Sequence, residues 1–253
     1  MVEFPVYGPD SYAHPGVPQG KLSETFTFTS RIYEGMTNDY WVYVPAAYDP
    51  AKPAALMVWQ DGKSYSARES QTHRTLDALD NLIYQKKIPV MIAVFINPGT
   101  LGNQDSAIYK RELSRRSGAT GARAGRGAPR PGTPISMRSI EYDTVDGRYA
   151  SYLSDELLPE LYKNYNIRRD AYSRGIMGLS SGAICALNVA WQQPGEFSRV
   201  ISWIGSYTAI QWRANELDSG QAYPSKVRKE PKRNIRIWLQ DGRNDLAGCG
   251  KTD

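Results

Sequence analysis

The chain has 253 residues, 41% of them apolar and 23% charged, and a formal net charge of +5. That length and apolar content suit one large domain with a sizeable core and exclude a wholly disordered chain. No apolar run approaches a membrane span, the first ten residues lack the basic and apolar regions of a signal peptide, and two cysteines, Cys185 and Cys249, are too few and too far apart for a disulfide framework or a metal site. The basicity is local. Lys110 to Arg138 holds eight Lys/Arg against Glu112 alone, a net +7 that leaves the remainder at −2.

Residues 1–24, rich in Pro, Gly and Tyr, predict an irregular lead-in to one domain over 25–253. Thr25–Thr29 alternates as a half-buried strand should, and Asp39–Val44 is a second strand, closed by Pro45; an antiparallel pair is expected. Ala54–Gln60 is a continuous apolar run, the mark of a strand buried on both faces, and it opens into the loop Asp61-Gly-Lys-Ser-Tyr65. Leu76, Leu79, Leu82 and Ile83 predict one face of a helix over 72–86, and Ile88–Ile96 is the next buried strand. Residues 101–138 break this alternation as a basic low-complexity insertion, too poor in apolar side chains between Gly118 and Gly132 to order itself.

Periodicity returns with a helix over 149–162, kinked at Pro159. Gly175–Gly178 predicts a short strand, Ala183–Trp191 a helix in which Cys185 is a small core residue, and 199–205 and 235–240 two further strands around a polar stretch. Seven strands, the first two antiparallel and the rest alternating with helices, imply an α/β fold with a mostly parallel sheet and helices on both faces. Active groups are then expected at the carboxyl ends of the strands. Asp61–Tyr65, Asn97–Thr100, Ser180, the stretch 206–212 and Asp241–Asp245 all fall there.

Between the predicted strand and helix lies Gly178-Leu-Ser-Ser-Gly182, a G-x-S-x-G pattern. A serine on a sharp strand-to-helix turn exposes its hydroxyl as a nucleophile. Small residues at Gly178 and Gly182 let strand and helix pack closely. The N–H of Ser181, at the helix start, can then stabilise an oxyanion.

Tyr40–Pro45, Val58–Gly62, Ile88-Pro89 with Phe95–Gly99, Glu141–Thr144, Gly178–Gly182 and Leu239–Leu246 together resemble the α/β-hydrolase putative esterases, a family that includes esterase D, feruloyl esterases and enterochelin-esterase-like proteins. The resemblance is closest to the enterochelin-esterase-like branch. It implies a serine carboxylic-ester hydrolase without cofactor or metal, acting through an acyl-enzyme on a small-molecule or saccharide-linked ester. Carried over, Ser180 is the nucleophile and Asp245 the acid, with Asp241 as runner-up. Ser181 and the Gly62–Lys63 loop supply the oxyanion hole, and Tyr65, Tyr207 and Trp212 line a substrate pocket.

The family's order of Ser, acid, His departs here, because the only histidines, His14 and His73, both precede Ser180. The expectation is therefore a chain truncated before its catalytic His, with the last strand of the sheet missing and activity weakened. Acyl transfer to an alcohol on the same fold, and a non-catalytic relic of the esterase, stay open beside hydrolysis. The Arg-rich stretch has no aromatics for stacking and matches no nucleic-acid module, so neither nucleic acid nor membrane is expected as a partner. A cytoplasmic location is expected from the absent signal peptide, an exported form being left open.

Overall fold

A computed structural model of the chain describes residues 7–69, 73–110, 133–205, 207 and 222–242. Among the described residues ten strands form one sheet: β1 (Lys21–Leu22), β2 (Phe26–Thr29), β3 (Met36–Val44), β4 (Ala55–Gln60), β5 (Met91–Ile96), β6 (Thr100–Leu101), β7 (Ile135–Ser136), β8 (Arg174–Leu179), β9 (Arg199–Trp203) and β10 (Arg236–Gln240). The order is β10-β9-β8-β4-β5-β3-β6-β7, with β1 and β2 also on β3. Strands β10, β9, β8, β4 and β5 run parallel, and β3 is antiparallel to β5, β6, β1 and β2. All seven expected strands are present, and three two-residue strands, β1, β6 and β7, are additional.

The helices lying wholly within the described residues are α1 (Thr75–Tyr84), α2 (Arg138–Asp143), α3 (Arg148–Ser151), α4 (Leu158–Tyr162), α5 (Ser181–Gln192) and α6 (Tyr223–Lys229). Between α3 and α4, Tyr152–Leu157 is a π-helical turn, so the irregularity expected at Pro159 begins one turn earlier. Proline at the start of α4 offers no N–H to the preceding turn, which relaxes into wider hydrogen bonding. Glu156 in that turn accepts bonds from Ser30 Oγ and the N–H groups of Arg31 and Ile32, tying it to the β2–β3 connection.

The parallel strands are apolar throughout because both faces are covered, as β4 shows with every residue buried. Leu56, Val58, Ile92 and Val94 face the main core with Ile184, Leu187 and Val189 of α5. Met57, Trp59, Ala93 and Phe95 face a second cluster with Leu76 and Leu79 of α1. At the sheet's end, the described partner of β10 is β9, and Trp238 and Leu239 are each 65% exposed.

The ends of the stretch 101–138 are folded rather than low in order. Leu101, Tyr109, Ile135 and Met137 are buried, and β6 pairs with β7. Arg138 begins α2, a helix the composition of the stretch concealed; residues 111–132 lie outside the described part. The lead-in is pinned where Asn81 Nδ2 donates to the carbonyls of Asp10 and Tyr12 and Lys87 pairs with Asp10.

Candidate active site

β8 runs to Leu179 and α5 starts at Ser181, leaving Ser180 as the whole turn, with φ 57° and ψ −119°. A positive φ at a non-glycine residue is strained and persists only where the surroundings fix it. They do so here. The Ser180 N–H donates to Trp203 O at 3.0 Å, and its carbonyl accepts from Ala183 and Ile184 at 3.0 and 3.3 Å. A Cβ at Gly178 would run into the carbonyl of Gly182, so the strand and the first turn of α5 meet backbone to backbone. Gly182 is less constrained: a Cβ there would stand 3.2 Å from both Asp61 Oδ2 and Gln60 Cβ. The N–H groups of Ser181 and Gly182 open α5, where a helix leaves donors without intrahelical partners.

The loop after β4 approaches the same point. Asp61 is left-handed, with φ 55° and ψ 43°, and Gly62–Ser64 form a 3-10 turn. Only glycine fits at position 62, since a Cβ would strike the backbone of Phe95 and Ile96. The two oxyanion candidates of this loop differ. Lys63 N–H donates to Asn97 Oδ1 at 2.9 Å, whereas none of the described hydrogen bonds uses the N–H of Gly62.

Three side chains of α2 converge here, and sequence reasoning assigned none of them. Arg138 donates from Nε and Nη2 to Asp61 Oδ1 and Oδ2, both at 2.8 Å. That bond with the Asp61 carboxylate holds the guanidinium charged, well above its ordinary pKa. Tyr142 Oη accepts the Asp61 N–H at 3.1 Å. Glu141 is buried, accepting from Asn38 Nδ2 at 3.0 Å and Gly99 N–H at 2.6 Å; burial raises its carboxyl to about 7. The visible signal was the spacing Arg138-x-x-Glu141-Tyr142, which puts the three on one side of a helix.

Of the three expected pocket aromatics, Tyr65 and Tyr207 are among the described residues, and both contact neighbouring side chains. Tyr65 is 2% exposed, its ring against Trp59 and 4.3 Å from the His73 ring. Tyr207 Oη lies 2.8 Å from Ser202 Oγ and donates to Ala183 O, bracing the start of α5. Trp212, Asp245 and Cys249 lie outside the described residues. Asp241 follows β10 exposed, accepting from Gly242 N–H at 2.9 Å. Burial lowers the pKa of His73 against a raising contact with the backbone of Ser64. His14 Nε2 lies 2.9 Å from Pro9 O.

A cavity of about 1350 Å³ opens on the α1 face of the sheet, lined by Met57, Trp59, His73, Leu79, Ile201 and Trp203 among others. Ser180, Ser181 and Gly62 are not part of its lining, so size alone does not mark the site. Among the described residues no group of three or more His, Cys, Asp or Glu could hold a metal ion, and no helix is long and apolar enough to cross a membrane.

Residues 141–250 match the sequence model of the family described as Putative esterase. An uncharacterized protein, YbbA, of Bacillus subtilis (strain 168) is 21% identical over 169 residues, which is 66% of this chain and 56% of that protein. Ferric enterobactin esterase from Salmonella typhimurium superposes with a TM-score of 0.60 at 18% identity, over 88% of this chain and 46% of that one. The enterobactin esterase FES from Shigella flexneri, solved in the presence of 2,3-di-hydroxy-N-benzoyl-serine, gives 0.59 at 17% identity over 91% and 47%. The ferulic acid esterase AmCE1/Fae1A from Anaeromyces mucronatus gives 0.56 at 13% identity over 98% and 94%. The chain thus spans about half the length of YbbA and of the enterobactin esterases. It has the α/β-hydrolase fold and carries, over residues 141–250, the sequence signature of the putative esterase family.

Proposed function

We propose that the chain is a carboxylic-ester hydrolase in which Ser180 Oγ attacks the ester carbonyl to form an acyl-enzyme. The observation that carries this reading is the strained backbone of Ser180 at the β8–α5 turn, with the amides of α5 starting at the next residue. Attack forms the bond from Oγ to the carbonyl carbon as the hydroxyl proton passes by way of solvent to the departing alcohol's oxygen, and the carbonyl oxygen becomes an oxyanion. Collapse breaks the bond to the leaving alcohol, and water later releases the acid. The N–H of Ser181 and that of Gly62 are the donors we assign to the oxyanion; Gly62 is favoured over Lys63, whose N–H is held by Asn97. Preorganised donors of this kind contribute about 10²–10³ in rate each.

Serine needs a proton acceptor; the contacts of the two histidines include the Tyr65 ring and the Ser64 backbone for His73 and the Pro9 carbonyl for His14. The relatives' names make enterobactin-type and ferulic-acid esters the first substrates to offer beside p-nitrophenyl acetate and butyrate. The test is fluorophosphonate labelling of the purified chain and of Ser180→Ala. Label mapped to Ser180 and lost in the variant supports the reading. A folded wild-type chain that takes no label, or a variant labelled at the same rate, refutes it.

A further inference from the structure

The loop that carries Gly62 is held from outside by one short helix. Asp61 adopts a left-handed conformation that needs support, and α2 supplies it at two points. Tyr142 Oη accepts the Asp61 N–H at 3.1 Å, and Arg138 clasps both carboxylate oxygens at 2.8 Å. A third hold is indirect. Glu141 accepts from Asn38 Nδ2, the same amide group donates to Asn97 O at 3.0 Å, and Asn97 Oδ1 takes the Lys63 N–H. Glu141 also receives the Gly99 N–H, and Met137 N–H donates to Gly99 O at 2.7 Å, so the helix and the loop after β5 are locked together.

Charge adds a second reason for Arg138. The Asp61 carboxylate lies against Gly182 in the first turn of α5, where a Cβ would sit 3.2 Å from Oδ2. A helix N-terminus attracts anions, and an unpaired carboxylate there would oppose an oxyanion forming beside the same amides. The bidentate pair with Arg138 satisfies both carboxylate oxygens and neutralises their charge.

We propose that α2 is a brace for the oxyanion loop: Arg138, Tyr142 and Glu141 are positioning residues that fix Asp61–Lys63 and keep the Asp61 carboxylate from repelling the oxyanion. The proposal rests on the serine-esterase reading of Ser180. None of the three touches the reacting atoms. Their effect is on how well the Gly62 amide is aimed and on the local charge. Because all three lie within five residues at the end of the basic stretch, the brace is built from one turn of helix.

The test uses the full chain with Tyr142→Phe, Arg138→Gln, Arg138→Lys, Asp61→Asn and the double variant Arg138→Gln/Asp61→Asn. Amide exchange is measured at residues 61–63 and, as an internal reference, in β8. The rate of fluorophosphonate acylation of Ser180 is measured on the same samples. In Tyr142→Phe, which keeps the ring and removes only the acceptor, exchange at the Asp61 amide should rise about tenfold while β8 is unchanged. Acylation should slow about 10–100-fold in Tyr142→Phe and in Arg138→Gln. Adding Asp61→Asn to Arg138→Gln should restore part of that rate, and Arg138→Lys should lose less than Arg138→Gln; general loss of packing would give neither pattern. Exchange at the Asp61 amide that stays at the wild-type rate, or rises only in step with β8, overturns the brace, as does a labelled wild type whose rate none of these variants changes. A wild type without label at Ser180 sinks the esterase reading first, an outcome distinct from failure of the brace.

Discussion

Glu141 offers a stability prediction with a definite sign. Its carboxyl is buried, and burial raises its pKa from 4.5 to about 7, with the bonds from Asn38 and Gly99 opposing the shift and the nearby Asp61 charge adding to it. The folded protein therefore holds a proton that the unfolded chain releases between these two values. Stability contributed by the protonated group is complete below about pH 4.5 and is lost as pH rises through 7. At about 1.4 kcal/mol per pKa unit, this group alone costs roughly 2–3 kcal/mol between pH 5 and pH 8. Glu141→Gln cannot titrate and keeps only one acceptor for two donors, so it should lose about 1–3 kcal/mol at pH 5. By pH 8 that difference should shrink to near zero or reverse. The assay is urea unfolding of both proteins from pH 5 to pH 8, read as the difference between them so that other titrating groups cancel. A difference that stays constant across this range, or widens toward pH 8, would refute the reasoning.

The other expectations are simpler. Gly178→Ala should destabilise by about 1–3 kcal/mol or more, because its Cβ has only the Gly182 carbonyl to move, and thermal unfolding will show it. Tyr149→Phe should cost about 1–3 kcal/mol in the same assay, since Tyr149 Oη donates at 2.7 Å to the buried Gln60 Oε1 at the end of β4. His73→Phe, which retains a ring against Tyr65, should leave the rate of Ser180 labelling within about twofold, whereas loss of a general base would cost about 10²–10⁴.

Sequence by itself determined the frame. Continuous apolar runs such as Ala55–Gln60 can be buried only in a strand covered on both faces, and alternation in Phe26–Thr29 fits an edge pair, so seven strands and the helices α1 and α5 were legible from period alone. Gly178 and Ser180 were legible for the same local reason: a strand, a tight turn and a helix in that order leave one place for a serine. Helix α2 was not, because its six residues are too short to show a period and begin inside a stretch whose composition is that of a loop. Nor could spacing tell that Tyr65 packs inward against Trp59, or that Asn97, 34 residues away, accepts the Lys63 amide. Those choices depend on contacts between segments distant in the chain. Only the tertiary structure decides them, because hydrogen-bond partners and charge pairs are set by which segments the folded core brings together.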